Sequence, residues 1–409
     1  MLVVHNRYRI EGGEERSVDL QLRALEAAGV EHVLFERRSD DTGRATAARA
    51  MLRGGAAPGE LEDAVRLLAG GRGDDAPVVV HAHNTVPLIG PAGLAAARRA
   101  GARVLLHLHN VRIFCATGFG ERDGAPCQRC RGRNTLPGLA LNCRGSLPEA
   151  AVYATALSLH QPRLLRAVDR FVAPSAAARD ELAARGLPAE RVDVLRHYLP
   201  ADSFAERSAA GDGDYALVAS RLSPEKGIED ALRACLDAGV PLRIAGEGPE
   251  RGRLEQLARE AGAKVDVAGE VPDPTRPAAG TAAAGRDRSA DVAFLGRLPA
   301  AAVRRELASA ALVLMPSRYH EFSPYSALEA MAAGVPVVAT AMGGLPELLG
   351  EGRCVPVGDV AGFAARVAAL WADASGRAAE GDTLIARARE RHSRERYTGD
   401  LLGLYAGLA

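Results

Sequence analysis

The chain has 409 residues and a formal net charge of zero, with 47% hydrophobic and 25% charged residues. This length favours two domains with separate hydrophobic cores, and the neutral balance argues against a nucleic-acid-binding protein that depends on counterion release. No apolar stretch reaches transmembrane length, and the first residues lack a cationic leader followed by an apolar core. We therefore expect a cytoplasmic protein, with contact at a membrane surface left open.

Short apolar runs alternate with helical patterns through the first 197 residues. The predicted strands cover residues 2–5, 32–35, 78–82, 104–109, 171–173 and 192–195. Alternation of this kind predicts a parallel sheet covered by helices. Residues 1–197 therefore form the first predicted domain, and a cysteine-rich insertion at 111–147 interrupts it.

A loop over residues 198–213 breaks the alternation and is interpreted as a hinge. A second series of strands then covers residues 216–219, 242–245, 265–268, 292–295, 312–315 and 335–339. We expect a second α/β domain at 214–390 and a cleft between the two domains, because ligands prefer the carboxyl ends of parallel strands. A C-terminal helix at 391–409 is expected to pack back on the first domain.

A glycine pair, Gly12 and Gly13, follows the first strand and precedes two glutamates at the start of a helix. Gly246 has a similar place in the second domain, after the strand at 242–245. Glycine lets the backbone approach a ligand closely, but it also serves simple turns. Both interpretations stay open for these three residues.

Histidines occupy the ends of two predicted strands. In the second of these strands, His107 and His109 lie on one side because side chains alternate along a strand. His109 is expected at the carboxyl end, facing the cleft and in contact with substrate. The alternative is a histidine that is only part of the core or its rim, and this alternative is favoured for His83.

Four of the six cysteines fall within the insertion at 111–147: Cys115, Cys127, Cys130 and Cys143. Such clustering favours a metal site over disulfides in a reducing compartment. Four thiolates with one two-residue knuckle can close a tetrahedral zinc site. The alternatives are an iron–sulfur cluster, a redox pair or reduced thiols.

The segment after the strand at 216–219 carries one of only two lysines in the chain, Lys226. Ser223 is predicted to cap a helix that begins at Pro224, which places Lys226 in the first turn. A cation there opposes the helix dipole unless an anion binds. Lys226 and the forked donors of Arg221 together therefore indicate a phosphate site. The alternative is that both residues are solvated surface cations.

A helix is predicted between the strand at 312–315 and the strand at 335–339. Ser323 or Ser326 is expected to cap it, with Pro324 at the first helical position. The free amides at its start would then face an anion above the strand ends.

Two glutamates bracket this predicted helix start. Glu321 is expected in the preceding loop and Glu329 on the helix, so that the pair encloses a ligand. Ser326 and Glu329 also have the spacing of a capping box, which would make Glu329 structural.

Several motifs together resemble glycosyltransferases of the retaining family 4 type. In the second half they are SRLSPEKG (220–227), AGEGPE (245–250), FLGRLP (294–299), the segment 321–340 and GGLPEL (343–348). In the first half they are GGEERSV (12–18), VHAHN (80–84) and HLHN (107–110). The resemblance covers nearly the whole chain and implies the GT-B fold, in which two Rossmann-like doubly wound domains face each other across a cleft.

The resemblance also implies roles for individual residues. Arg221 and Lys226 would bind the diphosphate of a nucleotide-sugar donor, Glu329 its ribose and Glu321 its sugar. His109 would lie beside the sugar, with Gly13 closing from the first domain. The other implied donor contacts are Gly12, Gly246, Arg297, Leu298, Phe322, Ser323, Tyr325 and Ser326.

The implied reaction is a retaining transfer of sugar to a hydroxyl acceptor, in which the leaving diphosphate helps to deprotonate the acceptor. No catalytic metal is expected, and the four cysteines resemble an insertion of some family members that would hold structural zinc. A nucleotide-sugar epimerase, a phosphorylase and a non-catalytic sugar-nucleotide-binding module stay open. The turn at 322–325 departs from the family pattern, which puts the sugar preference in doubt. A flexible insertion at 271–290 has no readable role.

Overall fold

The computed structural model describes residues 1–8, 12–40, 42–71, 76–267 and 291–408. The chain divides into two compact units. The first unit comprises Met1–Arg122, Pro126–Tyr198 and His392–Ala409, and the second comprises Asp123–Ala125 and Leu199–Arg391. The insertion predicted at 271–290 lies outside the described residues. Among the described residues, no helix combines the length and apolar character needed to cross a bilayer.

The strands are numbered β1 to β15 in chain order. They are Leu2–Arg7, Val33–Arg38, Val79–Ala82, Arg103–His107, Glu121–Arg122, Ala125–Pro126, Arg170–Ala173, Val192–Val194, Ala216–Ala219, Leu242–Ala245, Val265–Val267, Val292–Gly296, Leu312–Met315, Val337–Thr340 and Cys354–Val355. Every strand predicted from the sequence overlaps one of these. The sequence analysis missed the two-residue strands β5, β6 and β15, which are too short to show a periodic pattern.

The helices α1 to α15 follow the same chain order. They are Gly13–Ala27, Arg44–Arg53, Pro58–Gly70, Gly90–Arg99, Leu136–Ala140, Leu147–Ala167, Ala176–Ala184, Ile228–Ala238, Arg251–Glu260, Ala300–Ser309, Tyr325–Ala332, Leu345–Leu349, Val360–Ala372, Ala374–Arg391 and Arg394–Ala406. Short 3₁₀ turns occur at Ala189–Arg191, Ala201–Ser203, Ala210–Asp212 and Pro224–Lys226.

Each unit contains a parallel sheet. Over the described residues, the first unit has the strand order β2-β1-β3-β4-β7-β8, and the second has β11-β12-β10-β9-β13-β14-β15. Neighbouring strands within both sheets run parallel. Because parallel strands need crossover connections, helices cover the sheets, as the alternation in the sequence predicts.

Small and medium-sized apolar side chains build the core of the second unit. Helix α8 illustrates the pattern, because Ile228, Ala231, Leu232 and Cys235 are buried at helical spacing. The helix ends at Gly239, which takes the left-handed conformation that favours glycine at this position. Its buried stripe packs in one cluster with strands β9, β10 and β12.

The strand order of the second sheet reverses between β9 and β13. The chain proceeds from β9 to β10 on one side, while β13 pairs with β9 on the other. Loops that leave two such strands diverge and open a crevice at the carboxyl ends, which is where ligands bind in open α/β sheets. The loops after β9 and β13 therefore border the expected ligand site.

Candidate functional site

The loop after β9 contains a turn that the sequence did not predict. Residues Pro224–Lys226 form a separate 3₁₀ turn, and helix α8 begins only after Gly227. Gly227 has a φ of 63°, and a side chain there would overlap the carbonyl oxygen of Pro316. Lys226 therefore lies in the first turn after Pro224, as predicted, but this turn is 3₁₀ and does not continue into α8, because the loop bends sharply at Gly227.

Ser223 takes the predicted cap position before Pro224, but it precedes a 3₁₀ turn and its side chain makes no capping hydrogen bond. Its hydroxyl instead donates a hydrogen bond to the Glu225 carboxylate at 2.7 Å. Arg221 donates to the same carboxylate at 2.9 Å, and its side chain is 53% exposed. Arg221 therefore lies at the rim of the site, with Glu225 as an internal partner.

Lys226 forms an ion pair with Glu321, which lies in the loop after β13. The Lys226 ammonium donates to Glu321 Oε1 at 2.7 Å and to the Tyr319 hydroxyl oxygen at 3.1 Å. The same carboxylate accepts hydrogen bonds from the Ser317 hydroxyl at 2.7 Å and the Tyr319 hydroxyl at 2.9 Å. The side chains of Lys226 and Glu321 are only 13% and 4% exposed. These four residues are named the lysine cluster below.

The lysine cluster holds both of its charges in place. Burial alone would raise the pKa of Glu321, but the Lys226 charge and three donated hydrogen bonds lower it below its ordinary value. Burial alone would lower the pKa of Lys226, but the Glu321 carboxylate raises it above its ordinary value. Burial and the Glu321 charge raise the pKa of Tyr319 to about 12. At neutral pH the pair is charged and Tyr319 is a neutral hydrogen-bond donor.

The GGLPEL segment fixes the main chain of Glu321. Gly343 has a φ of 60°, and a Cβ at this position would overlap the carbonyl oxygen of Glu321. The next amide, that of Gly344, donates a hydrogen bond to the same oxygen at 2.6 Å. The close approach and the left-handed backbone both require glycine at position 343.

Helix α11 begins at Tyr325, one residue later than predicted, with Pro324 at the cap position and no side-chain cap. Neither Ser323 nor Ser326 therefore caps the helix, and the capping-box alternative for Glu329 does not form. Glu329 is half-buried in the middle of α11. Phe322 is buried in the loop before the helix.

The other predicted donor contacts lie at neighbouring strand ends. Gly246 follows β10 with a φ of 148°, and a Cβ there would overlap the carbonyl oxygen of Ser220. Its amide donates a hydrogen bond to the carbonyl of Gly296, at the end of β12, at 2.8 Å. The next two residues, Arg297 and Leu298, are exposed and half-buried. The absence of a side chain at Gly246 thus lets the ends of β9, β10 and β12 lie close together.

In the first unit, the glycine pair lies at the start of α1. Gly12 is the cap residue and Gly13 the first helical residue. The amide of Gly12 donates a hydrogen bond to the Glu15 carboxylate at 2.9 Å. This contact ties the loop to its own helix.

His109 belongs to a group of histidines at the carboxyl edge of the first sheet. His107 ends β4, and His109 lies two residues beyond it. Their rings stack with centroids 4.3 Å apart, and His109 also stacks on His83 at 5.2 Å and on His197 at 5.8 Å. His81 stacks on His83 at 4.9 Å. These five rings are named the histidine stack below.

The four clustered cysteines are free thiols. Burial raises the pKa of Cys130 to about 11, and the neighbouring thiols Cys115, Cys143 and Cys127 add to this rise. Within the described residues, the groups of three or more metal-ligand atoms that lie within 4.8 Å of one another consist of histidines. Zinc at the cysteines stays a prediction.

Sequence analysis missed Tyr319 and Ser317, although both donate to Glu321. Their positions, two and four residues before Glu321, were the available signal. It also missed His197, because nothing in the sequence indicates that the end of β8 approaches the end of β4.

Comparison with known protein families agrees with this geometry. Residues 12–197 match the glycosyl transferase 4-like domain, and residues 281–373 match the glycosyl transferases group 1 family. Both matched segments are therefore similar to glycosyltransferase domains, and each covers less than half of the chain. The glycosyltransferase resemblance predicted from the motifs is confirmed at this level, whereas the retaining mechanism and the four-cysteine subset stay predictions.

Individual relatives share less than a third of their aligned residues with this chain. Glycogen synthase from Mycobacterium tuberculosis is 31% identical over 250 residues, which cover 58% of this chain and 51% of that protein. A GDP-mannose-dependent alpha-mannosyltransferase from the same organism is 28% identical over 307 residues, covering 72% of this chain and 64% of that protein. The chain thus spans about half the length of the first of these relatives.

A solved structure supports the fold over the whole chain. Anabaena Alr3699/HepE, crystallised in complex with UDP, has a TM-score of 0.64 at 16% identity, with 100% of both chains covered. With the two parallel sheets, this match confirms the predicted GT-B fold class.

Proposed function

We propose that the protein is a retaining glycosyltransferase that moves a sugar from a nucleotide-diphosphate donor to a hydroxyl acceptor. The lysine cluster carries this proposal, because it places a buried cation at the carboxyl ends of β9 and β13 in a chain with two segments similar to glycosyltransferase domains. The acceptor class is a small molecule, a glycan or a lipid-linked sugar.

Stabilising the departing diphosphate is the main electrostatic task in this reaction. An ammonium group has three N–H donors. In the described part of the chain, Glu321 and Tyr319 accept two hydrogen bonds from Lys226. The third donor is available for a phosphate oxygen, and its direction is fixed in advance by the other two.

Glu321 has two tasks in this proposal. Its carboxylate holds Lys226, and its one remaining lone pair, on Oε2, accepts a hydrogen bond from a donor-sugar hydroxyl. Glu329, half-buried on α11, binds the ribose. Arg221 moves from Glu225 to the diphosphate when the donor arrives.

The remaining donor contacts follow from the resemblance. In the second unit they are main-chain groups at Gly246, Arg297, Leu298, Phe322, Ser323, Tyr325 and Ser326. In the first unit they are Gly12, Gly13 and His109. Structural zinc at the four clustered cysteines and a cytoplasmic location belong to the same proposal.

UDP-sugars are the first donors to test, because the HepE structure contains UDP, and GDP-mannose is the second because a mannosyltransferase is among the relatives. Each donor is incubated with and without a panel of hydroxyl acceptors, and products are followed by mass spectrometry and NMR. We expect acceptor-dependent release of nucleoside diphosphate and a product with the donor's anomeric configuration.

Other products would identify the alternatives. Acceptor-independent isomerisation of the donor sugar indicates an epimerase, and phosphate-dependent release of a sugar phosphate indicates a phosphorylase. Donor binding without turnover or hydrolysis indicates a non-catalytic module. An inverted product contradicts the retaining mechanism.

A further inference from the structure

The second unit contains a surface cavity whose residues have no role in the proposed function. The cavity measures about 560 Å³ and is lined by Arg353, Arg387 and Arg391. We propose that it is a second anion site, which binds the phosphate group of a small sugar phosphate. It shares no residue with the lysine cluster. The cavity with its three arginines is named the arginine pocket below.

A helix and a turn bring the three arginines to the arginine pocket. Arg387 and Arg391 are four residues apart on α14, so they share one face of that helix. Arg353 lies in the turn between α12 and β15. Like charges at this helical spacing are destabilising. An anion bound between the arginines would offset their repulsion.

Gly350 lets two of the guanidinium groups approach the same point of the main chain. Its φ is 98°, in the region that favours glycine. A Cβ at this position would lie 3.0 Å from Arg353 Nη1 and 3.7 Å from Arg387 Nη1. Both guanidinium groups therefore lie against the same glycine, which itself lines the cavity.

The carboxyl end of α12 orients Arg387. Its Nε donates a hydrogen bond to the carbonyl of Leu348, and its Nη2 donates to the carbonyl of Glu347, both at 2.8 Å. A guanidinium has five N–H donors, so those on Nη1 are not used in these two bonds. Arg387 is therefore held in one direction before a ligand arrives, which reduces the entropy cost of binding.

The charge of Arg353 is only partly matched by the protein. Its Nε is buried and has no hydrogen-bond partner within the described residues. The Glu380 carboxylate lies 3.7 Å from this atom, beyond hydrogen-bond distance, and accepts a hydrogen bond from Arg366 at 2.6 Å instead. A buried donor without a partner costs free energy, and a phosphate oxygen would supply one.

Arg391 has no internal partner either. It is half-buried, and in the part of the chain that the structure describes it makes no hydrogen bond or ion pair. The helix dipole favours a cation in the last turn of α14, but Arg389 already provides one there and donates to the carbonyl of Ala205 at 2.7 Å. Burial and the charges of Arg391 and Arg353 lower the pKa of Arg387 below its ordinary value, which supports the close approach of the three cations.

The lining of the arginine pocket selects the class of ligand. Guanidinium groups bind phosphate oxygens in pairs. Glu347 and Glu351 also line the cavity; their carboxylates accept hydrogen bonds from hydroxyl groups and repel ligands with several negative charges. The volume falls within the range of about 300–1,000 Å³ that is typical of small-molecule sites. A single phosphate group on a molecule with several hydroxyl groups, which is a sugar phosphate, fits this lining.

The test is calorimetric titration of the full chain with glucose 6-phosphate, fructose 6-phosphate, inorganic phosphate and glucose. We expect at least one of the two sugar phosphates to bind with one-to-one stoichiometry. Inorganic phosphate should bind at least about tenfold more weakly, because it makes no contact with the glutamates, and glucose should not bind detectably.

Substitutions locate the binding. Arg353→Gln and Arg391→Gln should each weaken sugar phosphate binding at least about tenfold, with folding checked by circular dichroism. Arg389→Gln is the matched control, because it removes a cation from the same turn of α14 outside the cavity. Arg221→Gln removes a cation at the rim of the lysine cluster. Both controls should bind the sugar phosphate within about twofold of wild type.

Several results overturn the proposal. One is that folded wild-type protein binds neither sugar phosphate, or binds glucose or inorganic phosphate equally well. Another is unchanged binding in Arg353→Gln or in Arg391→Gln. Loss of binding in Arg221→Gln would assign the sugar phosphate to the proposed donor site, and loss in Arg389→Gln would indicate a general effect of charge. The readout is binding at residues without a role in sugar transfer, so a chain that binds the sugar phosphate but transfers no sugar contradicts only the glycosyltransferase proposal.

Discussion

The lysine cluster and the histidine stack both lie at the carboxyl edge of a parallel sheet. Their buried polar side chains are accommodated in different ways. In the lysine cluster each charge meets an opposite charge and further hydrogen bonds. In the histidine stack the rings pack on one another, and the pKa values of His83, His107 and His109 are held low by burial and mutual repulsion. The first arrangement keeps a buried cation charged, whereas the second keeps buried imidazoles neutral.

The largest expected effect comes from removing the cation of the lysine cluster. Lys226→Met leaves the Glu321 carboxylate buried without its partner, so we expect a loss of about 3–5 kcal/mol in the free energy of unfolding. Adding Glu321→Gln to this variant should recover most of the loss, because the unpaired charge disappears. Denaturant unfolding of the two single variants and the double variant measures this coupling.

Lys264, the other lysine in the chain, provides the matched control. It is exposed, and Lys264→Met should change stability by no more than about 0.5 kcal/mol. If Lys226→Met were equally neutral, the charges of the lysine cluster would contribute nothing to the fold, and the contrast with the histidine stack would fail.

The next effect concerns the glycine that fixes Glu321. Gly343→Ala forces a side chain into the Glu321 carbonyl at a φ of 60°, and we expect about 3 kcal/mol of destabilisation from strain and displacement. Gly252→Ala is the control, since a Cβ there meets no atom within 4 Å and should shift stability by less than about 1 kcal/mol. Thermal unfolding of both variants compares them, and equal melting temperatures would contradict the close approach.

A smaller effect is expected at Tyr319. Tyr319→Phe removes the hydroxyl that donates to Glu321 and accepts from Lys226. The ion pair persists, so the loss of stability should be about 1–2 kcal/mol. A loss as large as that of Lys226→Met, measured by the same denaturant unfolding, would show that the hydroxyl rather than the cation holds the carboxylate.

The smallest effect is the acid dependence of the ion pair. Because the folded pKa of Glu321 lies below its ordinary value of 4.5, its contribution to stability is complete above pH 4.5 and is lost as the pH falls through the folded value. We expect wild type to lose about 1 kcal/mol per pH unit relative to Glu321→Gln below pH 4.5. Unfolding curves between pH 7 and pH 3 measure the difference. A constant difference over this range would contradict the lowered pKa.

The sequence predicts much of the second unit because its signals are local. Lys226 is unusual in a chain rich in arginine, and Glu321 precedes a helix and a buried strand. The 3₁₀ turn was missed because the left-handed backbone at Gly227 follows from the approach of Pro316, which is distant in sequence. Ser223 occupies the predicted cap position, but its hydroxyl bonds to the Glu225 carboxylate, a contact that the cap pattern does not predict.

The histidine stack was beyond prediction because it depends on strand order. His83 and His107 could be assigned to strand ends, but their stacking requires β3 and β4 to be neighbours. His197 reaches the stack from the loop after β8. Such convergence comes from tertiary structure, and a single sequence contains no direct signal of it.

The central claim, that Lys226 receives the donor diphosphate, is tested most directly by calorimetric titration of UDP into wild type and Lys226→Met, with folding of the variant checked by circular dichroism. Lys264→Met and Lys226→Arg are measured in parallel. The account predicts binding at least about tenfold weaker in Lys226→Met, partial recovery in Lys226→Arg and wild-type affinity in Lys264→Met. Equal affinity of folded Lys226→Met and wild type for UDP would contradict it.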